Sequence, residues 1–194
     1  AAASNLGQML NRLCQADGIP LVNVVRRNEQ ADLLRAAGAD HVVVSSADSF
    51  ADDLTAAITA TGATIAFDAI GGGEQVDTLL ASMEKASSAG QAFSRYGSDT
   101  HKQVYIYGGL DRSATTLRRT YGMSWGVGGW LLTPFLGRGG LERMAELQAR
   151  VAAEITTTFA SVYADTISLD DMLNPAVAKA YSAQATGEKR LVTP

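Results

Sequence analysis

The chain has 194 residues, 46% hydrophobic and 19% charged, which suits one large globular domain, or one domain with part of another, and is unlike a disordered chain. A formal net charge of −4, with the acids scattered, argues against a nucleic-acid binder, which would need clustered Lys and Arg. Cys14 is the single cysteine, so an intrachain disulfide and a cysteine-based zinc site are both excluded within this sequence.

In chain order, Leu6, Met9, Leu10, Leu13 and Cys14 mark one face of a helix that Gly18 and Pro20 stop. Leu21–Val25 reads as a buried strand. Asn28 is a candidate N-cap for a helix carrying Leu33 and Leu34, with Gly38 just past its end. His41–Val44 is a second buried strand. Ser49 and Asp52 resemble a capping box that opens a helix ending near Gly62. Thr64–Asp68 is a third strand, Val76 to Met83 a helix face, and Val104–Tyr107 a fourth strand. This alternation predicts an α/β domain with a parallel sheet and helices on both faces. Beyond residue 120 the rhythm changes. A further strand is expected within Gly122–Gly129, and one long helix over 141–158 with Leu141, Met144, Val151 and Ile155 among the residues along one face. The tail is expected to hold a short strand, a helix around Ala176–Ala183 and a last strand at Arg190–Val192. The lone cysteine suits a reducing, cytoplasmic setting, which is expected; no apolar run is long enough to span a bilayer, and no signal-peptide pattern opens the sequence.

Four constellations carry chemistry. Ala1, Ser4 and Gly7 are small residues opening directly into a helix, where backbone N–H groups and the helix end favour a pyrophosphate. By itself this is also an ordinary helix start. Arg26 and Arg27 end the next strand. An acid usually holds the ribose 2′-hydroxyl there in NAD-binding chains, and an arginine suits a 2′-phosphate. Read alone, the pair is a solvated charge pair. Phe67-Asp68-Ala69-Ile70-Gly71-Gly72-Gly73 and Val104-Tyr105-Ile106-Tyr107-Gly108-Gly109-Leu110 each lie at the carboxyl end of a strand, the side on which open α/β sheets bind ligands. Each could equally be a tight strand-to-helix turn. His41 and His101 lack partner cysteines, and no metal site is expected.

These segments, in this order, resemble the cofactor domain of the medium-chain dehydrogenase/reductases (the zinc-containing alcohol dehydrogenase superfamily). The resemblance is nearest to its zinc-independent NADPH:quinone oxidoreductases and 2-enoyl thioester reductases. The ending Ala-Thr-Gly-Glu-Lys-Arg-Leu-Val-Thr-Pro is similar to that family's C-terminus. The resemblance implies a Rossmann-type doubly wound sheet over 1–158, and a segment over 159–194 that returns to a catalytic domain lying before Ala1. It implies NADP(H) as cofactor. Ala3, Ser4, Asn5 and Leu6 would line the pyrophosphate loop, and Arg26 and Arg27 would meet the 2′-phosphate. Ala69, Ile70 and Gly71 would sit beside the nicotinamide ribose, and Tyr107, Gly108 and Gly109 would flank the nicotinamide. Trp130 falls where the family often has an aromatic residue near the cofactor, and is as readily a core or interface residue.

The catalytic domain and the first strand of the nucleotide fold are absent from the sequence, so a fragment is expected. Leu21–Val25 should then not pair directly with Thr64–Asp68. The implied activity is hydride transfer from NADPH to a small-molecule acceptor, a quinone, enone or enoyl thioester. The implied partner is a second copy bound through an exposed strand edge, with neither nucleic acid nor membrane. Two other readings stand beside it: a non-catalytic NADP(H) sensor or scaffold, and a zinc-dependent alcohol dehydrogenase with its ligands upstream. No catalytic residue is assigned; Tyr105 and Tyr107 are candidate proton donors and equally plain strand residues. A short-chain dehydrogenase is disfavoured, because no Tyr has a Lys four residues later.

Overall fold

The computed structural model describes residues 1–182 and 189–194. α1 (Asn5–Ala16) leads to β1 (Val22–Val25), α2 (Asn28–Ala36) to β2 (His41–Val44), and α3 (Phe50–Thr61) to β3 (Ile65–Asp68). Next come β4 (Gly71–Gly73), α4 (Gln75–Ser88), β5 (Lys102–Ile106), β6 (Asp111–Thr115), β7 (Trp125–Gly129) and α5 (Leu132–Ala153). The tail holds β8 (Asp165–Ser168), a 3₁₀ turn (Asp171–Leu173), α6 (Pro175–Ser182) and β9 (Arg190–Thr193). Ala183 and residues 185–188 of the C-terminal motif lie outside the described residues. No described helix is long and apolar enough to cross a membrane.

Every strand pairing is parallel, as a chain that alternates helix and strand requires. β1 pairs with β2, and β3, β5 and β7 form a second sheet in that order. β1 and β3 do not pair with each other, as expected, and no described strand lies between them. The first residues pass the carboxyl ends of both. The Ala2 amide is 3.4 Å from the Val24 carbonyl, and the Ala1 nitrogen lies in the field of the Asp68 carboxylate.

Side-chain alternation along β1 and β2 serves two cores. Val22, Val24 and Val43 join the larger one, where Leu54 and Ile58 of α3, Val76, Leu80 and Met83 of α4, and Val104 of β5 meet. Val25, Val42 and Val44 face the smaller one, with Ala3 and with Ala31 and Leu34 of α2. Leu54, Val76 and Leu80 are fully buried, each worth about 1.5–3 kcal/mol of transfer free energy. Gly62 ends α3 at φ 68°, a left-handed position that a side chain would strain.

Four expectations are corrected. Asn28 is the first residue of α2, and Arg27 occupies the N-cap. Gln30 reaches back there to accept from the Arg26 and Arg27 amides. Ser49 forms no capping box with Asp52; its hydroxyl donates to Asp53 Oδ2 at 2.7 Å instead. β5 starts two residues early and stops before Tyr107, because Lys102 is drawn into the core by an ion pair. The long helix runs over Leu132–Ala153, with a break at Gly140 (φ 77°, ψ 175°), and buries none of its residues. Along the stripe read in the sequence, Leu141 is 79% exposed, and no described residue covers it.

Candidate functional site

The residues singled out by the sequence gather at the carboxyl ends of β1, β3, β5 and β7. On the β1 side, Ser4 caps α1: its Oγ accepts from the Gly7 amide at 3.2 Å. A Cβ on Gly7 would overlap the Ala2 carbonyl oxygen, so only glycine lets the chain fold back so tightly. The Asn5 and Leu6 amides, in the first helical turn, have no intrahelical acceptor and point outward from the positive end of the helix. Ala3 itself is buried against Val25, which sets the start of α1 beside Arg26. Arg26 and Arg27 are exposed, and neither guanidinium makes an ion pair among the described residues. Ser46, at the end of β2, donates to the Arg26 carbonyl at 2.6 Å and so fixes this corner.

On the other side, the loop after β3 is built by Asp68. Its buried carboxylate accepts from the Ile70 and Gly71 amides, each at 2.9 Å, closing a side-chain-to-backbone turn. The loop after β5 then locks onto it. Tyr107 N–H donates to the Asp68 carbonyl, Leu110 N–H to Ala69 and Asp111 N–H to Ile70, at 2.9, 3.2 and 2.9 Å. Gly108 is required there, because its Cβ would fall 2.6 Å from the Ala69 oxygen. Ala69–Gly71 and Tyr107–Gly109 are thus brought together as one rigid lip.

Beyond that lip lies a cavity of about 400 Å³ lined by Tyr107, Gly108, Trp130, Leu131, Pro134 and Arg138 among others. Burial, and then the Asp68 carboxylate, push the Tyr107 phenol above its ordinary pKa, so it stays a hydrogen-bond donor at neutral pH. Tyr105 does not share this place; it lies in β5 with its ring stacked on Phe67, 5.7 Å between centroids. Trp130 donates its backbone amide to the Ile106 carbonyl and packs its ring on Phe135. Sequence reasoning missed Arg138, Leu131 and Pro134, which carry no motif and reach the cavity only because α5 starts beside the ends of β5 and β7. Asp68 was legible in principle, as an Asp before a glycine-rich turn. Among the described residues no three of His, Cys, Asp and Glu converge as metal ligands would.

Parallel strands, glycine lips at their carboxyl ends and a helix amino end facing the crevice define a Rossmann-type nucleotide-binding class of fold. Residues 6–92 match the zinc-binding dehydrogenase family. No curated protein matches the chain. Among solved structures, a candidate NADPH:quinone reductase from Mesorhizobium loti matches at TM-score 0.77 and 23% identity, over 100% of this chain and 52% of that one. A mycobacterial protein complexed with NADPH matches at TM-score 0.65 and 20% identity, over 100% and 55%. A mutant enoyl thioester reductase from Candida tropicalis matches at TM-score 0.64 and 16% identity, over 98% and 51%. The chain spans about half the length of these structures. Over its length it has the Rossmann-type fold of the corresponding half of these structures, in agreement with the fold that the resemblance implied.

Proposed function

We propose that this chain is the NADP(H)-holding part of an oxidoreductase that reduces a quinone, an enone or an enoyl thioester. The observation that carries the reading is Arg26–Arg27 just past β1, beside the start of α1, neither in an ion pair among the described residues. Two exposed guanidiniums suit the extra phosphate of NADP(H) and would waste charge on a 2′-hydroxyl. Ala3, Ser4, Asn5 and Leu6 would hold the pyrophosphate through backbone amides. Ala69, Ile70 and Gly71 would border the nicotinamide ribose, and Tyr107, Gly108 and Gly109 the nicotinamide itself. The bound cofactor supplies the hydride, while the protein positions it and excludes water. Tyr107 lines the cavity from the lip and keeps its proton at neutral pH, which suits it to hold an acceptor oxygen. The reductase names of the similar structures support the acceptor class. β7 ends its sheet, with one edge unpaired among the described strands, a place for a second copy to pair in a homodimer.

The test is a titration with NADPH and NADH, followed by cofactor fluorescence, on the protein and on Arg26→Ala/Arg27→Ala. NADPH should bind at least about tenfold more tightly than NADH, and the variant should lose that preference, since charge-assisted bonds are worth about 1.5–3 kcal/mol each. Equal binding of the two cofactors would remove the arginines from this role. Binding of neither would leave the fold without the function.

A further inference from the structure

A second cavity, of about 630 Å³, opens at the other end of the same strands, where α4 finishes and β5 and β7 begin. Five residues of strand separate the two ends, roughly 15 Å, so this cavity is no extension of the crevice. Its walls are fixed. The loop before β5 and the loop before β7 are clasped by the Met123 amide, which donates to the Tyr96 carbonyl at 3.0 Å. Gly97 packs so closely that its Cβ would fall 2.6 Å from Gly122 Cα. The floor is Glu84, and its charge is already met. Fully buried Lys102 donates to it, and so do the Ser98 amide and hydroxyl, at 2.7 and 2.8 Å.

The rim is different. Arg95 and Arg119 both line the cavity, and neither makes an ion pair among the described residues. Arg95 lies over the Tyr96 ring, 5.6 Å from its centroid. Arg119 has φ 61°, alone among described non-glycine residues in the left-handed region. Such strain persists where surrounding structure enforces it, and it clusters at functional places. Here it separates two neighbours: Arg118 turns to Glu74 and Asp77, while Arg119 is left to the cavity. On a chain of net charge −4, two uncompensated guanidiniums at a preformed hollow are an anion trap. Phe93 and Met123, 95% and 77% exposed beside them, offer an apolar wall that no other described residue covers.

We propose that this cavity binds a phosphorylated small molecule with a flat apolar body. The guanidiniums of Arg95 and Arg119 take the phosphate, as their planar forks suit, and Phe93 and Met123 cover the body. The ligand sits apart from the cofactor and acts as an effector or second substrate, not as the hydride acceptor.

The test follows the Met123 methyl resonance in protein labelled at its methionine methyls, during titration with phenyl phosphate, inorganic phosphate and phenol. Met123→Leu assigns the signal. Phenyl phosphate should shift it saturably at about millimolar concentration or below, more tightly than either fragment. Arg95→Gln and Arg119→Gln should each weaken binding by roughly tenfold. Phe93→Ala should weaken phenyl phosphate and leave inorganic phosphate unchanged. All three positions are exposed, so an unaltered melting temperature is expected to accompany the glutamine and alanine variants. An unmoved Met123 signal, equal binding in the arginine variants, or phenol binding as well as phenyl phosphate would each overturn the site. Inorganic phosphate binding as tightly as its phenyl ester would overturn the apolar half of the proposal. The readout is local to Met123, so it stands whether or not the crevice takes NADPH.

Discussion

Gly7 has no room for a methyl group, because a Cβ there would collide with backbone and not with a side chain that could swing away. Gly7→Ala should therefore displace the loop Ala1–Ser4, costing about 1–3 kcal/mol of stability and most of the NADPH affinity. Thermal unfolding and the cofactor titration together check this; a variant that keeps both would show that the loop is not the phosphate cradle. Arg119 gives the opposite sign. Replacing it with glycine removes the left-handed strain and should raise stability by about 1 kcal/mol, or roughly 2–4 °C in melting temperature. A lower melting temperature in Arg119→Gly would mean that the Arg119 side chain contributes contacts worth more than its strain.

α4 and β5 are joined by the buried Glu84–Lys102 pair. Burial would raise the Glu84 pKa, but hydrogen bonds from Lys102, Ser88 and Ser98 outweigh it and hold the carboxyl at about 2. A folded-state pKa below the unfolded one means stability that is present at neutral pH and lost on acidification. The loss should fall between the ordinary carboxylate range and about pH 2. Denaturant melts across that range should show the slope, and Glu84→Gln should flatten it. Lys102→Met should cost about 3–5 kcal/mol, because it leaves a desolvated carboxylate without its cation. α5 behaves otherwise. With no buried residue, its apolar side chains contribute little here, and Leu141→Ser should change stability by less than about 0.5 kcal/mol. A large destabilisation would show that this stripe is covered in solution.

At the scale of the molecule, the β1–β2 sheet and the β3–β5–β7 sheet share one core with no pairing between their described strands, held together by α3 and α4 lying side by side across them. The C-terminal part of the chain is tied back to α1 by polar contacts. Arg12 donates to the Thr158 and Ala160 carbonyls at 2.9 and 2.7 Å, and Arg150 makes a two-pronged pair with Asp17. The Arg150–Asp17 pair is screened by salt and no large apolar surface backs it, so this attachment should loosen before the core does. Amide exchange should then be faster across 132–160 than across α3 and α4, and faster still at high ionic strength.

Local chemistry was legible in the sequence wherever a residue's neighbours along the chain decide its state. Period and punctuation located the helices from α1 to α4, because Ser4, Gly38 and Gly62 act within one turn of themselves. The order of small residues, Arg26–Arg27 and two glycine lips likewise pointed to the crevice. What the sequence could not supply depends on residues distant in the chain. β4 and β6 pair only because the loops after β3 and β5 meet. Arg138 enters one cavity and Arg119 the other only through the placement of whole elements. The apolar face of α5 has the right period and still lies exposed. Periodicity states which side of a helix is apolar, and only the tertiary structure decides whether anything packs against it.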